Sequence, residues 1–397
     1  MQKSIFGLEE DVLENSGAIF TASEITGQPD LWLKTWELIS GSADKIENFI
    51  NPLFGNKDLH IILTGAGTSA FIGETLEGPF QKHTGVTTRA VATTNLVTHP
   101  ELYFLKDKPT LLVSFARSGN SPESWKAVSL AKNYCSEIYN LIITCNPEGK
   151  LALENSGQND FKLILPPEAN DQSLAMTGSF TAMLLAGLLI NRINEISALE
   201  NHVKLIYDYG KRIIDSYSDK LKEVAGLPFT RAVFLGSGLF EGVARESHLK
   251  LQELSDGKVI CKYDTFLGFR HGPKAVINNE TLIVYLFSNN EYSRKYEADL
   301  VESVSNGRSG IFSIGVMEHD TCINNINLKL VMSENSGKVD EDFLTVPSVL
   351  PAQIIGFYKS LDLGFEPDNP SKDGVITRVV QGVKIYEYNN VKVNGQI

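Results

Sequence analysis

Short runs of β-branched and aliphatic residues alternate along this chain with longer stretches in which apolar positions recur every three or four residues. His60-Ile-Ile-Leu-Thr64, Thr110-Leu-Leu-Val113 and Asn140-Leu-Ile-Ile143 are runs of the first kind; residues 122–133 and 292–305 belong to the second. Uninterrupted apolar runs suit strands buried on both faces. Their alternation with helical stretches predicts βαβ units around a parallel sheet.

The pattern occurs twice. Arg231-Ala-Val-Phe-Leu-Gly236-Ser-Gly238 repeats His60-Ile-Ile-Leu-Thr-Gly65-Ala-Gly67 at an offset of 171 residues, and Thr281-Leu-Ile-Val284 repeats Thr110-Leu-Leu-Val113 at the same offset. Asn140-Leu-Ile-Ile143 is expected to match Ile311-Phe-Ser-Ile314 likewise. The expected fold class is therefore α/β, with two tandem doubly wound parallel-sheet domains. We divide the chain into a helical arm (1–45), a first unit (46–205), a second unit (206–365) and a tail (366–397). A helix ending near 201 and another over about 202–224 should lead into the strand at Arg231; residues 347–363 should be helical, ended by Gly364 and Pro367.

Composition narrows the partners. A length of 397 residues suits two domains, and a net charge of -12 with no basic run excludes a nucleic-acid-binding surface. Residues 1–20 are acidic and lack the apolar core of a signal peptide, so a cytoplasmic protein is expected. The apolar run at 182–190 is too short to span a membrane and reads as a buried helix. Cys135, Cys145, Cys261 and Cys322 lack metal-site or redox spacing, and the seven histidines form no ligand pair, so neither metal nor cofactor is expected.

Candidate chemistry begins where ligands bind in open parallel sheets, in the loops after the strands. Thr64-Gly-Ala-Gly-Thr68-Ser69 and Ser114-Phe-Ala-Arg117-Ser118-Gly119-Asn120-Ser121-Pro122-Glu123 offer hydroxyls, close backbone approach and a helix start facing an anion. A merely capped helix would look similar. The repeat favours phosphate binding, because Ser118 corresponds to Asn289, Gly119 to Asn290, Ser121 to Tyr292 and Ser69 to Phe240, whereas a structural cap would be free to persist in both units.

In the second unit, Glu246, Lys250 and Glu253 share one face of a helix, and Gly268-Phe-Arg270-His271-Gly272-Pro273-Lys274 sets a histidine in a Gly- and Pro-bounded loop. The helix face alone also fits a solvated surface. With the histidine, the set matches aldose-ketose isomerisation, which needs ring opening, a base between carbons 1 and 2, and stabilisation of an enediol-type intermediate.

These residues resemble the sugar isomerase (SIS) family, whose members carry two tandem copies of this fold, over nearly the whole chain. The strings Ile61-Ile-Leu-Thr-Gly-Ala-Gly-Thr-Ser-Ala-Phe-Ile-Gly73, Arg117-Ser-Gly-Asn-Ser-Pro-Glu-Ser124, Gly268-Phe-Arg-His-Gly-Pro-Lys274 and Arg378-Val-Val-Gln-Gly-Val383 look like the tagatose-6-phosphate ketose/aldose isomerases, also described as galactosamine-6-phosphate deaminases. The resemblance implies phosphate contacts from Ser118 and Ser121 with a charge-assisted bond from Arg117, and sugar contacts from Thr68 and Ser69. It makes Glu253 the proton-transfer base, Lys250 an intermediate stabiliser, and His271 the ring-opening group, supplied by a neighbouring subunit in at least a dimer. Thr177, in Ala175-Met-Thr177-Gly-Ser179, is either a substrate contact or a helix cap, and Arg378 is the nearest counterpart of the family's carboxy-terminal lysine.

The expected activity is conversion of galactosamine 6-phosphate to tagatose 6-phosphate and ammonia. A hexose 6-phosphate isomerase without deamination is the alternative. A sugar-phosphate-binding regulator is disfavoured, because the residues ahead of the first unit, Glu24-Ile-Thr-Gly-Gln28-Pro29 among them, are too few and too acidic for a DNA-binding domain.

Overall fold

The structure, a computed structural model, describes residues 4–334, 337–380 and 382–388. Three helices open the main body: α1 (Ile19–Thr26), α2 (Gln28–Gly41) and α3 (Ala43–Phe54). The first sheet follows with β1 (His60–Thr64), α4 (Thr68–Thr84), β2 (Thr88–Ala90), β3 (Thr110–Ala116), α5 (Pro122–Tyr134), β4 (Ile138–Thr144) and β5 (Asp160–Ile164). Its five strands are all parallel, in the order β2-β1-β3-β4-β5.

Two helices join the units, α6 (Gly178–Ile190) and α7 (Ile196–Ala225). Every residue of α6 is buried, as its all-round apolar sequence requires, and it packs against α2 and α4. The sequence suggested a break near residue 201, but α7 runs unbroken for 30 residues. Ile196, Leu199, Val203, Ile206 and Ile213 are buried on it, so the apolar period crosses residue 201 without a Gly or Pro to end it. Among the described residues no single helix is long and apolar enough to cross a membrane.

The second unit repeats the plan with β6 (Arg231–Leu235), α8 (Phe240–Leu254), β7 (Ile260–Asp264), β8 (Thr281–Leu286), α9 (Glu291–Ser305), β9 (Phe312–Met317) and β10 (Leu328–Val331), in the parallel order β10-β9-β8-β6-β7. Helices α10 (Glu341–Ser348) and α11 (Leu350–Asp362) close it.

The strand pairing tests the repeat residue by residue. His60 pairs with Thr110 and Arg231 with Thr281, so the first two matches hold at 171 residues. The third is corrected: Leu112 pairs with Asn140, but its counterpart Ile283 pairs with Ser313, two residues beyond the expected Ile311. The chain between α9 and β9 is longer than that between α5 and β4. A shift of two preserves which side chains face each side of the sheet, so the apolar pattern concealed it.

The loops after β1 and β6 share one backbone. Gly67 and Gly238 take left-handed φ values of 56° and 60°. A Cβ on Gly65 would lie 2.5 Å from the carbonyl oxygen of Ser69, and one on Gly236 would lie 2.4 Å from that of Phe240. Each helix thus turns back against its own strand, which only glycine permits.

Helices α4 and α8, equivalents in the two units, pack on each other. At Gly242 the approach leaves no room for a side chain, since a Cβ would sit 2.3 Å from Thr75 Oγ1. Nearby, Arg245 of α8 donates to Glu74 of α4 at 2.5 Å, and these two residues are themselves 171 apart. The contact lies on the local axis relating the units.

Candidate functional site

The order of the first sheet reverses between β1 and β3, which opens a crevice at their carboxyl ends. Thr68, the first residue of α4, and Ser69 are both buried there, and the loop after β3 leads into α5 with Ser121 as its N-cap. Gly119 has φ of 66°, the left-handed conformation that lets this loop turn. Ser118 Oγ accepts from the Asn120 amide at 3.2 Å, and Asn146 Nδ2 donates to the Ser118 carbonyl at 2.9 Å. Ser121 Oγ lies 2.6 Å from Ser124 Oγ. The hydroxyls are held at two adjacent helix starts, where amide groups and the helix dipoles favour an anion.

The second unit reaches this crevice through α8. Lys250 is buried, and its Nζ donates to Thr68 Oγ1 at 3.2 Å and to Glu253 Oε2 at 2.6 Å, with Glu246 Oε1 3.3 Å away. Spacings of three and four residues align the three side chains on one face. Glu253 retains solvent access (22 % of its side chain), whereas Glu246 has none. Burial pushes the Glu246 carboxyl up to about 8 against the attraction of Lys250, so it holds a proton at neutral pH. Burial opposes charge on Lys250 too, but Glu246, once ionised, and the Glu253 carboxylate at 2.6 Å outweigh it and raise the lysine above its ordinary value.

Arg117 and Arg378 are placed together but point at the protein. The Arg117 guanidinium, buried behind the β3 loop, donates to the carbonyls of Ser173 and Leu174, both at 3.1 Å, and of Arg378 at 2.6 Å. Burial draws its pKa down, partly offset by Asp171, Glu24 and Glu253. Arg378 donates to the Asp171 carbonyl and to Asn170 Oδ1. Thr177 is fully buried, and the Asp171 carboxylate accepts from the amides of Thr177, Gly178 and Ser179 at 2.8, 3.1 and 2.9 Å. Thr177 stands at the N-cap position of α6, but its side chain accepts from no helix amide; Asp171 supplies the cap in its place.

Asp171 and Glu24 are functional candidates that the sequence analysis did not select. Glu24, on α1, accepts from the Ser173 amide at 3.2 Å and bonds the Ser173 hydroxyl. Burial and the neighbouring Asp171 raise its carboxyl to about 7. Neither residue stands in a motif, and their partners lie in other elements, so no local spacing signals them.

His271 is exposed, on a turn after the short helix Phe266–Phe269, with its amide bonded to the Gly268 carbonyl at 3.0 Å. The described contacts do not join its ring to Lys250 or Glu253. Gln381, within the fourth motif string, lies outside the described residues. Among the described residues no group of three or more His, Cys, Asp or Glu is arranged to hold a metal ion.

A cavity of about 620 Å³ also opens between α4 and α8, lined by Glu74, Lys82, Leu239, Glu241, Arg245 and Asp342 and by none of the expected site residues. It is the counterpart of the crevice in the other unit: Lys82 stands where Glu253 does, and Leu239 where Thr68 does. Neither the Thr68 hydroxyl nor the Glu253 carboxylate has an equivalent there.

Comparison with known proteins places this architecture. Residues 53–190 match the SIS domain. A D-galactosamine-6-phosphate deaminase AgaS from Shewanella sp. (strain ANA-3) is 37% identical over 385 residues, 96% of this chain and 95% of that protein. The protein of that name from Escherichia coli O157:H7 is 39% identical, covering 93% of this chain and 96% of its own length. Among solved structures, the tagatose-6-phosphate ketose/aldose isomerase from Escherichia coli superposes with a TM-score of 0.85 at 36% identity, over 93% of this chain and 96% of that one. With full-length relatives at this identity and two sheets of one topology, the chain belongs to the SIS-domain family, in the group that contains the AgaS proteins.

Proposed function

We propose that the protein is an isomerising deaminase that converts galactosamine 6-phosphate to tagatose 6-phosphate and ammonia. The observation that carries this reading is the contact of Lys250 with both Glu253 and Thr68, which brings an acid-base pair from one unit to the phosphate-binding crevice of the other. The names of the full-length AgaS relatives supply the substrate.

In this reading the 46–205 unit grips the phosphate through Ser118 and Ser121 and the sugar through Thr68 and Ser69. His271 from a second copy of the chain opens the ring; its exposure suits that role, and the role requires a dimer at least. Glu253 then takes the proton from carbon 2, and electrons move onto the carbon 1 carbonyl oxygen beside the Lys250 ammonium. The proton returns to carbon 1 as the amino nitrogen's lone pair closes onto carbon 2, and one amino proton passes to the carbon 1 oxygen, leaving a hydroxyl at carbon 1 and a ketimine at carbon 2. Water adds there and ammonia departs, giving the ketose with no net oxidation and no cofactor. We place the reaction in the cytoplasm, where Cys135, Cys145, Cys261 and Cys322 stay as the free thiols they are here.

Purified protein incubated separately with galactosamine 6-phosphate, glucosamine 6-phosphate and tagatose 6-phosphate, with ammonia and ketose both assayed, tests this reading. Ammonia and ketose in equal amounts from galactosamine 6-phosphate are expected. A hexose 6-phosphate interconverted without ammonia release would replace deamination with plain isomerisation, and silence on all three would reject the enzyme.

A further inference from the structure

The carboxy-terminal segment after α11 crosses the first unit and is fastened at intervals. Asp368 accepts from the amides of Phe20 and Thr21 at 3.2 and 2.7 Å, capping α1, while its own carbonyl accepts from the Leu174 amide at 2.9 Å. Further on, Arg378 grips Asn170 and the Asp171 carbonyl, and further still Tyr388 donates to Glu101 at 2.9 Å. The middle fastening is the one that touches the site. Holding the Arg378 side chain at 170–171 presents the Arg378 carbonyl to Arg117, and Arg117 is bonded in sequence to Ser118 of the phosphate loop.

Resting on the proposed function, we propose that Arg378 is a positioning residue: it locks the carboxy-terminal segment against Asn170 and Asp171 so that the Arg378 carbonyl fixes Arg117, and through it the loop bearing Ser118 and Ser121. The alternative, a direct cationic contact with the substrate, leaves the described geometry unexplained, because Arg378 Nε and Nη2 are both directed at Asn170 and Asp171. A buried guanidinium needs its acceptors: without the Arg378 carbonyl, Arg117 loses one of three and draws on water or neighbouring groups by moving. Binding geometry tolerates only about 0.5 Å of such movement. The loop, not the base on α8, should feel it.

The test uses the full chain with Arg378→Ala, Arg378→Lys and the milder Asn170→Ala. Arg378→Ala should raise KM for galactosamine 6-phosphate about tenfold while kcat stays within about threefold, and weaken inorganic phosphate binding, read by calorimetry without substrate, by a similar factor. Arg378→Lys should recover part of both, and Asn170→Ala should move them about two- to threefold in the same direction. A fall in kcat at unchanged KM would overturn the proposal in favour of a contact with the reacting atoms. So would a lowered Tm with KM and phosphate affinity both intact, which would make the segment a stabilising fastening only. Phosphate binding is read without turnover, so a chain inactive on the amino sugar but losing phosphate in Arg378→Ala would sink the proposed reaction and support the positioning role.

Discussion

Lys250 Nζ lies 3.2 Å from Thr68 Oγ1 across 182 residues of sequence, joining the α8 helix of the second unit to the helix start that closes the first unit's crevice. Glu253→Gln removes the base while keeping size and polarity, and turnover should fall by at least about 10²-fold with phosphate affinity little changed. Steady-state kinetics beside phosphate calorimetry separates the two. Full turnover in the variant would refute the assignment of Glu253.

Ser118→Ala combined with Ser121→Ala should act the other way. Both hydroxyls lie in the stretch between β3 and α5, and neither touches Lys250 or Glu253 in the described contacts. KM should rise about 10- to 100-fold with kcat nearly unchanged, as expected when binding is lost equally from ground and transition states.

The helix crossing that delivers Lys250 depends on Gly242. An alanine methyl would meet Thr75 Oγ1 at 2.3 Å and the Thr75 backbone nitrogen at 2.7 Å, so the helices must separate. Gly242→Ala should cost about 1–3 kcal/mol of stability, and should also lower kcat/KM more than tenfold by parting Lys250 from Thr68. Denaturant unfolding and kinetics on the same preparation check both effects.

Glu246 makes stability depend on pH. The folded chain keeps its proton up to about 8, whereas the unfolded chain releases it near the ordinary 4.5. Unfolding therefore releases a proton within that window, and this group's contribution to stability falls as pH rises through it, by up to about 1.4 kcal/mol per pH unit. Glu246→Gln abolishes the effect. Relative to the parent, the variant should gain unfolding free energy progressively from pH 4.5 to pH 8, and a constant gap would contradict the buried neutral acid.

The Arg245–Glu74 pair is about one-third exposed, so its coupling in a double-mutant cycle should be about 0.2–1 kcal/mol and should shrink in salt. Arg245 also lies over the rings of Phe71 and Tyr263, at 4.7 and 5.2 Å from their centres. Arg245→Gln should accordingly destabilise more than Glu74→Gln.

The strand runs and turn glycines were readable in the chain because buried strands and left-handed turns restrict residue type at each position. Glu246, Lys250 and Glu253 were readable as one face because a helix has a fixed period. The meeting of that face with Thr68 is a contact across 182 residues, which no helix period signals. What stayed hidden depends on partners distant in sequence. Arg117 looked like a phosphate ligand because its loop neighbours do, but its acceptors come from residues 173, 174 and 378. Glu24 reaches the Ser173 amide 149 residues away, Asp171 caps α6 from 6 to 8 residues upstream, beyond the usual cap spacing, and the register shift at Ser313 preserved every inward and outward position.

The placement of Arg245 opposite Glu74 bears on the history of the fold. A residue on the axis between two identical units faces its own copy, so a dimer of single units could set only like against like there, acid on acid or base on base. An attractive pair at that point is open only to halves joined in one chain and able to change separately. The same freedom separates Glu253 from Lys82: within one chain the two equivalent positions can differ, so the two clefts need not carry the same groups.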